Sequence, residues 1–160
     1  MKYIHLSKGL KCIVDDEDYE KFASFKWFAH KSTSKHYAAR SLISGRRVLL
    51  HREIIGIKTD YKHIKTQVDH INSNSLDNRK SNLRICSNSQ NSKNRSIGSN
   101  NRSGYKGVFF HKRSKSWQAM IRVDGKRLWL GSFKNKKDAA IKYNQSAKEN
   151  HGEYAKINFV

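Results

Sequence analysis

The sequence predicts an α+β chain: a small N-terminal α+β scaffold, a central strand–loop–strand–helix, and a C-terminal three-stranded antiparallel sheet packed on one helix. Three observations predict it. Short alternating apolar runs bounded by turn residues recur through the first sixty residues and again after Gly104, as half-buried strands require. Between them lies an asparagine-rich stretch, with no Asn before Asn72 and nine from Asn72 to Asn101. Near the end, Ala139, Ala140, Tyr143 and Ala147 recur at helical spacing.

Taken in order, residues 3–6 and 10–14 flank Lys8-Gly9 and predict a hairpin. Residues 16–25 predict a short helix, with acids in the first turn where the helix dipole favours them. The run Asp15, Asp16, Glu17, Asp18 lacks the alternate-residue spacing, the glycine and the distal Glu of a calcium loop, so helix-start acids are the better reading. Residues 26–29, 36–42 and 46–51 predict strands, the last ending at His51.

The centre carries the chemistry. Asp69-His70 closes an apolar run, a polar loop follows, and Asn82-Leu83-Arg84-Ile85 begins a second short strand. Ser87 with Gln90 three residues later has the form of a capping box, which places Asn91 in the first turn of a helix. Strand–loop–strand–helix can bring Asp69, His70, Asn82 and Asn91 together. Hydrolysis of a phosphodiester needs an activated water and a cation on the phosphate. His70 suits the base, since imidazole titrates near neutrality. Asp69 and Asn91 offer hard oxygens suited to magnesium or manganese. Asn82 either fixes the imidazole or ties the loop.

Past the small polar stretch at residues 96–103, which reads as a linker, the period changes. Residues 105–110, 117–123 and 127–133 predict strands, with Asp124-Gly125 as a primed two-residue turn. That turn sets a register in which Arg122 faces Arg127, Ile121 faces Leu128, Met120 faces Trp129 and Ala119 faces Leu130. One face then carries Gln118, Met120, Arg122, Arg127 and Trp129. Two arginines directly opposite are unfavourable in a free sheet and make sense against a phosphate or a guanine edge. Asn135 with Asp138 opens the last helix, and Gly152 ends it.

Charge bounds the partner. The 33 Lys+Arg against 13 Asp+Glu give a formal net charge of +20, and nucleic acid is the default polyanion. Residues 1–60 carry a net +5 (12 basic, 7 acidic), leaving +15 for residues 61–160 (21 basic, 6 acidic). No signal peptide or membrane span is legible, and Cys12 and Cys86 stand far apart with no C-x-x-C pair, so no disulfide framework or structural zinc is expected.

The central residues V-D-H-I-N-x-N, N-R-x-x-N-L-R and Q-N resemble the HNH nucleases in their homing-endonuclease branch, over about residues 47–95. The resemblance implies a ββα-metal (His-Me finger) fold, with His70 as general base, Asp69 and Asn91 as ligands of one divalent metal, most simply Mg2+ with Mn2+ as the alternative, and Asn82 as the orienting residue. Many relatives have His where this chain has Asn91, a variant found in the single-metal branch. Asn94 rivals Asn91 for the third position. His51 stands where such proteins often carry a His before the motif, and is equally readable as a half-buried strand histidine. The C-terminal residues Tyr105-Lys106-Gly107-Val108, Trp117 to Arg122, Arg127 to Phe133 and Ala155 to Phe159 resemble the APETALA-type, ethylene-response-factor-like DNA-binding domain, over about residues 103–160. That resemblance implies a sheet laid in the major groove, with contacts from Lys106, His111, Arg122, Arg127 and Trp129. Phe109 and Met120 depart from it, where the family often has Arg and Glu.

The expectation is a DNA endonuclease of bacterial or phage-infected cells, not secreted, acting on double-stranded DNA as a monomer, with no membrane and no small-molecule substrate. Its parts are a scaffold (1–60), a nuclease core (61–95), a linker (96–103) and a DNA-reading domain (104–160). The alternatives from other classes are a non-catalytic DNA-binding regulator and an RNA-binding basic protein.

Overall fold

The computed structural model describes residues 1–57 and 66–160. The chain divides into two compact units, 1–91 and 92–160. The first unit takes in the expected scaffold and the expected nuclease core up to Asn91, while residues 92–95 of that core fall in the second unit.

In the first unit, β1 (Lys2–His5) and β2 (Lys11–Val14) form an antiparallel hairpin, followed by α1 (Asp16–Phe22). A second sheet orders β3 (Phe28–Ser32), β4 (Lys35–Ser41) and β5 (Arg47–Leu49). Ile4, Val14, Cys12, Trp27, Ala38 and Leu50 close one core between these layers. Trp27 satisfies its indole N–H on Phe22 O at 2.8 Å, so the ring enters that core without an unmet donor.

After Leu49 the chain does not continue as strand. It turns into α2 (Leu50–Ile54), so His51 lies on a helix and is buried. The apolar run Val48-Leu49-Leu50 fits either state by pattern. The tertiary packing of Leu50, fully buried, decides for the helix.

β6 (Thr66–His70) and β7 (Leu83–Ser87) pair antiparallel, with Asp69 opposite Arg84 and His70 opposite Leu83. α3 (Asn88–Lys93) follows. Its capping box is complete: Ser87 N donates to Gln90 Oε1 at 2.8 Å, and Gln90 N donates to Ser87 Oγ at 3.2 Å. The loop between the strands is fastened to the N-terminal hairpin by a parallel bridge of Ile13 with Asp77, in which Ile13 N donates to Leu76 O and Asn78 N to Ile13 O, each at 2.8 Å. Lys80 N also donates to Asp15 Oδ2 at 2.8 Å, so one acid before α1 holds this loop.

The second unit is a sheet of order β10–β9–β8, with β8 (Val108–His111), β9 (Ser116–Val123) and β10 (Lys126–Phe133), backed by α4 (Lys136–His151). Asn135 caps α4 by accepting from Asp138 N at 2.9 Å, and Gly152 at φ 53° ends it. Ala139, Ala140, Tyr143 and Ala147 are buried against the sheet, together with Val108, Ala119 and Ile121. The register follows the Asp124-Gly125 turn as far as Trp129 opposite Met120, and then departs from expectation. Gly131, not Leu130, pairs with Ala119, because a bulge after Trp129 inserts one residue. The first strand starts later than residue 105. Tyr105 to Gly107 form a turn, and Gly107 at φ 74° packs its Cα directly under the Tyr143 ring, where a Cβ would lie 2.2 Å from ring carbons. The end of the expected linker is structured: Ser103 is buried, and its hydroxyl bonds Tyr105 O at 2.9 Å and Val108 O at 2.8 Å.

Candidate active site

β6 delivers Asp69 and His70 as strand neighbours, whose side chains leave on opposite faces. Both are buried. The His70 imidazole enters a pocket of rings: its centroid lies 5.0 Å from that of His51 and 6.2 Å from Tyr37, and Tyr37 stands 5.7 Å from His51. Its Nε2 faces Asn78 Oδ1 at 3.2 Å. With an amide oxygen as partner, Nε2 carries the hydrogen, which leaves Nδ1 as the basic nitrogen. Burial lowers the His70 pKa below its usual 6.5, against opposing contributions from the Asn78 bond and Asp69. The His51 pKa is pushed down to about 3, chiefly by burial, with His70 and the Arg52 charge adding to it.

On the other face of β6, Asp69 Oδ2 accepts from Arg84 Nη2 at 2.7 Å and Nε at 3.1 Å, the directly opposed residue of β7. This cross-strand pair sets the carboxylate in place.

Asn82 works on the loop and not on the imidazole. Its Oδ1 accepts from Asn72 N at 2.9 Å, and its Nδ2 donates to Asp77 O at 2.7 Å. Of the two roles open to it in the sequence, it takes the loop-tying one. Asp77 is gripped in turn by Arg79 through bonds of 2.8 and 2.7 Å and by Asn72 Nδ2 at 2.8 Å, and the Arg79 bonds hold its carboxyl below the usual range. The loop is therefore a closed polar network whose inward product is Asn78, only 1% exposed, aimed at His70.

Asn91 is half-buried on α3, in the same unit as Asp69 and His70, while Asn94 is buried and belongs to the second unit. Among the described residues no three His, Cys, Asp or Glu side chains group for metal.

The sheet of the second unit presents the expected face. Arg122, Arg127 and Trp129 are exposed, Trp129 by 59%, with Gln118 and Met120 beside them. His111 stands on the same face at the far edge. Its Nδ1 accepts from Ser114 N at 3.2 Å, which leaves Nε2–H as an outward donor. Lys106 is used differently: its ammonium donates to Lys93 O and to Arg95 O at 2.7 Å, and burial lowers its pKa to about 8. It caps carbonyls at the end of α3.

Asn78, Tyr37 and Arg84 are the residues to which sequence reasoning assigned no role. Asn78 and Arg84 stood inside the quoted motif, whereas Tyr37 comes from β4 and no local pattern marks it.

Residues 64–93 match the family model described as HNH endonuclease. No curated protein and no solved structure matches the chain. Among the described residues no helix is long and apolar enough to cross a membrane. The segment that holds Asp69, His70, Asn78, Asn82, Arg84 and Asn91 is thus the one similar to HNH endonucleases, which supports a nuclease acting on nucleic acid with a divalent metal.

Proposed function

We propose that the chain is a site-directed DNA endonuclease of the homing type, which cleaves with its first unit and reads duplex DNA with the C-terminal sheet. The observation that carries this reading is the pinned imidazole: His70 is buried and held through Nε2 by Asn78 Oδ1, next in sequence to Asp69, within the segment that matches the HNH family model.

The chemistry follows from these groups. Nδ1 of His70 takes a proton from water as the oxygen attacks phosphorus in line. The P–O3′ bond breaks, and the leaving oxygen takes a proton from solvent. Resemblance to the family implies 5′-phosphate and 3′-hydroxyl ends. Asp69 and Asn91 would hold one Mg2+, which supplies Lewis-acid stabilisation of charge on the phosphate. Arg84 keeps Asp69 oriented. Asn82 holds the loop that holds Asn78.

Recognition rests on Arg122, Arg127, Trp129 and His111 in the major groove, as resemblance to the ethylene-response-factor-like domain implies. Arginine forks suit guanine edges, and an exposed indole suits a sugar or a thymine methyl.

Incubating supercoiled plasmid with the protein and magnesium tests the reading. Nicking or linearisation that chelator abolishes, and that His70→Ala loses while duplex affinity stays within a few-fold, is the expected result. Undiminished cleavage by His70→Ala refutes the mechanism. Binding without cleavage under any divalent metal favours the regulator.

A further inference from the structure

Among the described residues, Arg52 is a buried cation with no acidic partner. The residue keeps 7% of its surface, and its Nε and Nη2 atoms are sealed from solvent with no hydrogen-bond partner among the described residues. The neighbouring acid on α2, Glu53, is taken by Arg40 in a two-pronged pair of 3.0 and 2.7 Å. The acids of the catalytic loop and strand are also engaged, Asp77 by Arg79 and Asp69 by Arg84. An unpaired buried guanidinium is strongly unfavourable, and folds keep one where a ligand supplies the missing anion.

Its location indicates which anion. Arg52 follows His51, whose ring touches that of the base, His70. The guanidinium fork matches two phosphate oxygens, and in a site screened from water such bonds gain strength. We propose that Arg52 is a phosphate-binding residue of the cleavage site, its Nε and Nη2 receiving oxygens of the DNA phosphodiester that docks beside His51 and His70. Docking includes a side-chain rotation that turns these donors to the ligand. The proposal rests on the nuclease reading for its substrate and on the orphaned donors for the site.

Arg52→Met keeps the length and apolar stem while removing the charge. In phosphate-free buffer it should melt at a higher temperature than wild type, because an uncompensated charge is lost. Inorganic phosphate should raise the melting temperature of wild type more than that of Arg52→Met, at ionic strength matched with chloride. Arg52→Lys should retain part of that response. In single-turnover plasmid cleavage with magnesium, Arg52→Met should be slower by about 100-fold, the loss typical of one removed charge-stabilising donor. Lower melting of Arg52→Met, or failure to fold, overturns the proposal, since the charge would then be structural. Equal phosphate responses, or equal cleavage rates, also overturn it. A wild-type protein that never cuts DNA removes the nuclease reading alone, and the melting comparison still decides whether Arg52 binds phosphate.

Discussion

His70 Nε2 and Asn78 Oδ1 lie 3.2 Å apart in the buried interior of the first unit, so the imidazole is fixed by a residue of the loop that its own strand leads into. The side-chain nitrogen of Asn78, Nδ2, is buried beside the Cys12 thiol and has no nitrogen or oxygen hydrogen-bond partner among the described residues. The fold accepts one unmet amide donor to hold one ring.

Asn78→Ala should lower kcat about 100-fold or more while leaving DNA affinity unchanged, because the ring loses its tautomer and orientation. Asn78→Asp should raise the pKa of His70 and move the acid limb of the pH–rate profile upward. Single-turnover rates across pH check both. A wild-type profile in Asn78→Asp would separate Asn78 from the base.

Acid should unfold the first unit through His51. Its folded pKa of about 3 lies below the ordinary 6.5, so the unfolded chain takes up a proton first as pH falls. The stability present above pH 6.5 is therefore lost between pH 6.5 and about 3. Burial of His70 acts in the same direction. His51→Phe, which keeps the ring contacts, should flatten this slope by a few kcal/mol. Urea midpoints at pH 7 and pH 4 measure it, and parallel curves for the two proteins contradict it.

Gly107→Ala should destabilise the second unit by about 1–3 kcal/mol, since the new methyl meets the Tyr143 ring and the φ of 74° disfavours any Cβ. Gly125→Ala, at φ 80° with nothing within 4 Å, should cost only the backbone term. Comparing the two melting temperatures separates contact from conformation.

Arg122→Ala or Arg127→Ala should weaken specific binding by about 1–3 kcal/mol each if the side chain reads a base. Lys106→Met should act on stability instead, because its ammonium is spent on Lys93 O and Arg95 O. Shift assays over a salt series, paired with melting curves, distinguish the two groups. Affinity lost in Lys106→Met without loss of stability would return that lysine to the DNA face.

What was legible in the sequence follows from range. The capping box at Ser87 and Gln90 and the Asp124-Gly125 turn are local devices, and both stand as read. The pairing of Asp69, His70, Asn82 and Asn91 with one segment was legible because residue types and spacing both constrained it. The bulge at Leu130 was not, since an inserted residue leaves no mark in an alternating pattern. The helix at His51 was not, because five residues cannot show a 3.6 period. Tyr37 joins the rings around His70 only through tertiary structure.

The bridge between Ile13 and Asp77 limits how far the cleavage motif can travel. The 30 residues that match the HNH model contain His70 and Asn78, but the peptide bonds on either side of Asp77 are anchored on the Ile13 backbone of the N-terminal hairpin. Grafting residues 64–93 onto another DNA-binding protein would transfer the chemical groups without the anchor that aims Asn78. A transplanted HNH-like segment must therefore bring the N-terminal hairpin with it.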